Sequence, residues 1–389
     1  MRKRSMKILT LASLLTSAAA GASGDPYWQA VEQHGDVPSA LWEAGAAFGR
    51  SVHDPDVIYR FGGQIGSFPN DPTVNDFYAF DVATATWTNL TTPATPAPRA
   101  DTLLMPGPCG NCVSIVGGRG RFRTGSDLMF PEMWSYHVHS GQWVEVPPED
   151  LGDPFAVRRS SALVVTVADP DPPQKKTFYA FGGVGNTLPA FPTTEGGLRN
   201  DVAVYDKDAG WSVVPTFGDE PAPRAWATGA YDPAGNSLLI FGGYRLGADQ
   251  GPETPPFELF GPTNFENDLW SLSLDTFVWT PLAPDGPLPS PRDNVAAFFD
   301  AGRGGLVIYG GQGFDALVTD LWLYSVAGGG WTEIALAPSS PVPPPRVGGI
   351  WFVRETATAY ELYVHGGATA DGGPSTFLND LWKLTWPKD

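Results

Sequence analysis

A chain of 389 residues that is 42% hydrophobic can bury a sizeable core, and its 46 glycines and 39 prolines suit many short strands joined by tight turns. The formal net charge of −18 repels phosphate backbones and speaks against nucleic acid as a partner.

The first 24 residues stand apart. Arg2, Lys3, Arg4 and Lys7 precede an apolar run from Ile8 to about Ala20, and small residues follow to Gly24. This order predicts a secretory signal over 1–24, cleaved after Ala22 or Gly24. The run is too short and alanine-rich for a membrane span. The expectation is an exported monomer without a membrane anchor, extracellular or, in a bacterium, periplasmic or at the cell surface.

From residue 25 to 389 one unit recurs six times. Each copy has an apolar strand ending in a glycine pair: Gly62-Gly63, Gly117-Gly118, Gly182-Gly183, Gly242-Gly243, Gly310-Gly311 and Gly366-Gly367. A third strand follows, often opened by Asn-Asp, with Tyr78, Trp134, Tyr205, Trp270, Trp322 or Trp382. A fourth strand carries Trp87, Trp143, Trp211, Trp279 or Trp331. No long 3.6-residue pattern appears after the N-terminal segment, so the class is all-β with one four-stranded antiparallel sheet per repeat. The sixth repeat ends at Asp389 without a fourth strand, whereas Tyr27-Trp28-Gln29-Ala30-Val31 reads as a fourth strand without a repeat. Pairing the two predicts a closed ring, which removes exposed sheet edges.

Antiparallel order puts the loops between second and third strands (B–C) on the same face as the connections between repeats (D–A). The B–C loops over 64–74, 119–130, 184–199, 244–266 and 368–378 are long, and 312–318 is short. Long loops on a rigid scaffold are where function concentrates. Tyr244 opens the longest. The D–A connections repeat an arginine: Arg99, Arg159, Arg224, Arg292 and Arg346, with Leu41 in the first copy. Two readings stand: the arginines, with Arg121 in the second B–C loop, face an acidic ligand at the mouth of the ring, or they tie neighbouring repeats through backbone carbonyls. The recurring Asn-Asp pairs read as structural bonds at turns and strand entries.

Cys109 and Cys112 lie in one turn of the second repeat and are expected to form a disulfide, as suits an exported chain. Asn89-Leu90-Thr91 is an N-glycosylation sequon, usable in a eukaryotic source. His137 and His139 share a strand face but lack a third metal ligand. His365 stands where other repeats have Phe61, Phe181, Phe241 or Tyr309, the place of a core residue. Gly-x-Ser-x-Gly and phosphate-loop motifs are absent. No cofactor follows from these residues.

The apolar run, glycine pair, spaced aromatic and following tryptophan, six times over, resemble the kelch repeat. The resemblance implies a six-bladed β-propeller, similar to the propeller domain of galactose oxidase and to bacterial sialic-acid mutarotases. It departs from galactose oxidase in committing both cysteines to one turn and ending with the propeller, which disfavours copper-radical chemistry. The Glu-x3-Asp-x3-His iron pattern of plant nitrile-specifier kelch proteins is also missing. The leading expectation is a binding module recognising a glycan or an acidic protein segment on its long-loop face. The alternatives are a sugar-modifying enzyme of the mutarotase kind and a structural extracellular protein.

Overall fold

The computed structural model describes residues 24–48, 56–66, 72–107, 109–120, 129–157, 159–168, 176–185, 197–245, 264–369 and 376–388. The expected signal up to residue 23, Arg121 and most of the long B–C loops lie outside the described residues. Six antiparallel four-stranded sheets follow one another as blades. In blade four the strands are Thr228–Asp232, Ser237–Tyr244, Phe265–Ser273 and Val278–Leu282, called A to D from the axis outward. Only Pro154–Val157 forms an α-helix among the described residues, and no helix there is long and apolar enough to cross a membrane.

The ring closes as the unpaired ends require. Tyr27–Val31 pairs antiparallel with Leu381–Pro387, with Trp28 opposite Leu384, and so becomes strand D of blade six. Trp28 is fully buried, its ring 4.6 Å from that of Tyr309 in blade five. Each described strand-D tryptophan leans the same way, toward the preceding blade: Trp279 packs with Leu163 and Phe181 of blade three, and Trp331 with Phe241 of blade four. Burying an indole there stabilises the seam by roughly 2–3 kcal/mol. An unexpected addition lies at the outer rim. The chain leaving one blade pairs in parallel with strand D of the next, as His34–Gly35 does with Thr86 and Trp87, and Phe217–Gly218 with Val278 and Trp279.

The glycine pairs are forced by the seams. Gly62 and Gly63 have φ of 67° and 111°, where a side chain is strained. A Cβ on Gly62 would also lie 2.2 Å from the Arg99 carbonyl oxygen of the adjoining connection.

Candidate functional site: the loop-face mouth of the channel

The recurring arginines lie in the seams and do not face the mouth. Arg99, Arg159, Arg224 and Arg292 are at most 1% exposed, and Arg346 8%. Arg224 shows the pattern. Its carbonyl accepts from Gly183 N of blade three at 2.8 Å, while its side chain reaches into blade four. There Nη1 donates to Gly242 O at 3.0 Å and Nη2 to Asp268 Oδ2 at 2.8 Å, with Nε on Ala222 O at 3.0 Å. Glu132, Asp201, Asp320 and Asp380 receive Arg99, Arg159, Arg292 and Arg346 in the same way. These acceptors include the acids of three Asn-Asp pairs, Asp201, Asp268 and Asp380. The paired asparagines hold the connection itself, as Asn267 Nδ2 does on Pro289 O at 3.0 Å. The planar guanidinium fork matches a carboxylate plus a carbonyl, and the scaffold engages all three nitrogens of Arg224.

Blade one lacks the connection arginine but not a buried cation. Arg60, from its strand B, is 2% exposed in the seam between blades six and one. Asp76 attracts it without a hydrogen bond, and burial pushes the guanidinium down to about 10. Among the described residues, its Nη1 and the Nε2 of His365 are buried without hydrogen-bond partners. His365 is 2% exposed, its ring 5.0 Å from Trp87. Burial, then the charges of Arg60 and Arg346, hold the imidazole well below its usual range.

The residues just after each connection arginine, or after Leu41, build the mouth. The first of them forms an antiparallel bridge with the residue after the glycine pair: Trp42 with Gln64, Ala100 with Arg119, Ser160 with Val184, Ala225 with Tyr244, Asp293 with Gln312, and Val347 with Ala368. The second adopts a left-handed backbone in every blade: Glu43, Asp101, Ser161, Trp226, Asn294 and Gly348. Their amides run around the axis. Glu43 N donates to Gly348 O at 2.8 Å, Asp101 N to Glu43 O at 2.9 Å, Ser161 N to Asp101 O at 3.2 Å, Trp226 N to Ser161 O at 2.9 Å and Asn294 N to Trp226 O at 3.3 Å. A left-handed residue other than glycine costs about 1 kcal/mol, and here these bonds offset it. Backbone geometry thus repeats, while side chains differ from blade to blade. That is how one scaffold presents an irregular surface.

The chemistry of this ring is mixed and net acidic. Arg119 is held between Asp101, at 2.6 Å, and Glu43. The Trp226 indole reaches across from blade four toward Asp101 Oδ1 at 3.4 Å and lies 6.0 Å from the Tyr244 ring, edge to face. Tyr244, buried and receiving Asn264 Nδ2 at 3.3 Å, is pushed up to about 12 by desolvation. Asp293 is 2% exposed, and desolvation raises its carboxyl to about 7 against a single opposing bond from Asn294 Nδ2 at 3.0 Å. Beneath the ring a cavity of about 640 Å³ runs along the axis, lined by small and apolar strand-A residues such as Ala46, Leu104, Val164, Ala230 and Ala297. No cluster of metal-ligating side chains occurs among the described residues.

Of the residues singled out in the sequence, Tyr244 stands in this ring, as does Arg119 at the start of the second B–C loop, while Arg121 lies outside the described residues. Asn89 is exposed on strand D of blade one, and the Cys109–Cys112 disulfide closes the turn between strands A and B of blade two. Reading the six connections against one another would have revealed the ring, because the two positions after the arginine are where the copies diverge.

Kelch domain-containing protein 2 of Bos taurus is 27% identical over 266 residues, covering 64% of this chain and 57% of that protein. N-(sulfonatooxy)prop-2-enimidothioate sulfolyase of Thlaspi arvense is 27% identical over 295 residues, covering 73% of this chain and 77% of that protein. Acyl-CoA-binding domain-containing protein 4 of Arabidopsis thaliana is 26% identical over 291 residues, covering 73% of this chain and 37% of that protein. The chain therefore spans less than two thirds of the bovine and Arabidopsis relatives. Residues 173–388, more than half of the chain, match the KLHDC2/KLHL20/DRC7 Kelch-repeats domain. Built from six blades of this repeat, the protein belongs to this kelch-repeat family.

Proposed function

We propose that the protein is an exported recognition module whose loop-face mouth holds a segment of a partner protein. The observation that carries this reading is the split between invariant and variable positions. Arginine, glycine pair and carboxylate repeat to build the seams, whereas Trp42, Glu43, Asp101, Arg119, Trp226 and Asp293 differ from their counterparts and gather at one end of the axis. Large aromatics beside charged groups in a rigid concave setting are the composition of binding hot spots. The family membership supports the same reading. The seam arginines no longer argue for an acidic ligand, since their donors are taken up internally. Export rests on the N-terminal 24 residues.

A random-peptide display library panned on the purified chain, with Trp226→Ala as counter-target, tests this. Enrichment of peptides that lose binding to Trp226→Ala is expected. A library that yields none would remove the reading.

A second reading, a sugar ligand, is favoured by the indole of Trp226 beside the Asp101 carboxylate, a pairing of apolar face and acceptor that suits a sugar ring. A glycan array showing binding lost in Trp226→Ala would establish it.

A further inference from the structure

The seam between blades five and six departs from the repeat at several positions that meet at one place. Other blades carry Phe61, Phe181 or Phe241 just before the glycine pair, whereas blade five has Tyr309. Tyr309 is 6% exposed, and its hydroxyl makes no hydrogen bond among the described residues. Blades one, three and four tie the next connection with an asparagine: Asn75 Nδ2 donates to Pro96 O at 3.0 Å, Asn200 to Pro221 O at 3.3 Å and Asn267 to Pro289 O at 3.0 Å. Blade five carries Thr319 there, and its shorter side chain reaches no carbonyl of the connection among the described residues. The amide ring of the mouth is open at the same seam. Asn294 N donates to Trp226 O and Glu43 N to Gly348 O, but among the described residues no hydrogen bond joins Gly348 N to Asn294 O. Arg346, the connection arginine of this seam, is the least buried of its kind.

These departures leave a cavity of about 30 Å³, open to solvent on one side, whose wall includes Tyr309, Thr319, Asn294 and Arg346 with the exposed Pro344 and Pro345. That is room for roughly two or three heavy atoms. Asn294 belongs to the mouth ring, so the cavity adjoins the mouth. Its charges are already answered: Asp380 holds Arg346 at 2.7 Å, and Asp320 holds the neighbouring Arg292. Burial pushes the Tyr309 phenol up, so the hydroxyl stays protonated and can both donate and accept. Thr319 adds a second hydroxyl, and Asn294 a main-chain carbonyl that the ring leaves unclaimed. Phenylalanine serves the place of Tyr309 elsewhere, so the seam itself does not need this hydroxyl. A buried hydroxyl without a partner destabilises a fold, and its presence here points to an incoming group. A neutral group that both donates and accepts fits these partners. A charged one would lose its water with no opposite charge left to meet it.

We propose that this cavity is a side-chain pocket of the mouth, taking the carboxamide of an asparagine or glutamine from the partner segment. This rests on the mouth reading above and names one residue type of the partner. The carboxamide supplies an acceptor for the Tyr309 hydroxyl and donors for Thr319 Oγ1 and the Asn294 carbonyl, whereas an apolar side chain leaves all three unmet.

Peptides recovered from the random library are resynthesised with each asparagine replaced by leucine and each glutamine by homoleucine, the apolar isosteres. They are titrated calorimetrically into the unmodified chain, Tyr309→Phe and Thr319→Asn. Other blades carry phenylalanine and asparagine at these places, so both variants keep the fold, and a thermal melt verifies each. One carboxamide is expected whose replacement weakens binding about tenfold or more on the unmodified chain, and hardly at all on either variant. Recovered peptides in which no asparagine or glutamine matters, or an equal loss on either folded variant, overturn the pocket and leave water as its occupant. The mouth reading then survives provided Trp226→Ala still abolishes binding. A library yielding no peptide overturns both.

Discussion

Arg292 and Asp293 are adjacent, charged and almost fully buried, yet they belong to different regions of the molecule. Arg292 lies in the seam layer, where Asp320 and the Gly310 carbonyl answer its charge. Asp293 lies in the mouth layer, where one amide group answers it. The seam layer repeats the same solution around the ring and contributes stability; the mouth layer breaks the repeat and leaves one buried carboxyl with a single hydrogen bond among the described residues. Burial alone therefore does not separate scaffold from site. The number and kind of partners does.

The largest test of this division is removal of residues 25–32. It strips strand D from blade six and exposes the edge of Leu381–Pro387, and the cooperative thermal transition should be lost or fall by tens of degrees. An unchanged melting temperature would show that closure does not depend on this strand. Next, Arg224→Ala leaves Asp268 without its fork and Gly242 O without its donor. A loss of about 3–5 kcal/mol in chemical denaturation is expected, with Trp226→Ala, in the mouth layer, costing clearly less. Equal losses would erase the distinction between the layers.

Asp293→Asn should act with the opposite sign. The folded protein holds the Asp293 proton up to about 7, against 3.8 for an unperturbed carboxyl. Stability contributed by the protonated form is therefore present in acid and lost as pH rises through about 7. The asparagine variant should be more stable than the parent at pH 8, by up to about 4 kcal/mol, and equal to it near pH 4. A destabilised variant at pH 8 would mean that the carboxylate has an internal partner after all.

The smallest effect concerns the closing seam. His365 is held well below its unfolded value of 6.5 by burial and by the Arg60 and Arg346 charges. Its unfolded form takes up a proton first, so stability is full above about 6.5 and declines as pH falls below it. His365→Phe, the residue of three other blades, should flatten that decline by about 1 kcal/mol or more between pH 7 and 5. Identical acid profiles would assign the acid lability elsewhere.

The fold was legible because its signals are local and repeated. Glycine pairs mark places where a Cβ would strike a neighbouring carbonyl, and the unpaired Tyr27–Val31 announced its own partner. The site was less legible. The conspicuous recurrence, arginine, proved to be scaffold, because a residue kept in five copies serves what the copies share. The variable ring was overlooked because Asp293, Trp226 and Glu43 carry no motif and gain meaning only from the backbone position they share.

By itself the sequence determined the number of blades, their strand order, the closing strand, the disulfide turn and the aromatic seams, all consequences of periodicity and of steric limits on glycine. Only the tertiary structure decided that Arg224 meets Asp268, that Arg60 takes up the cation place in the seam lacking a connection arginine, and that Asp293 stands nearly alone. Those outcomes depend on distances between segments tens of residues apart, and a charge is neutral scaffold or open site according to what the fold brings within about 3 Å of it.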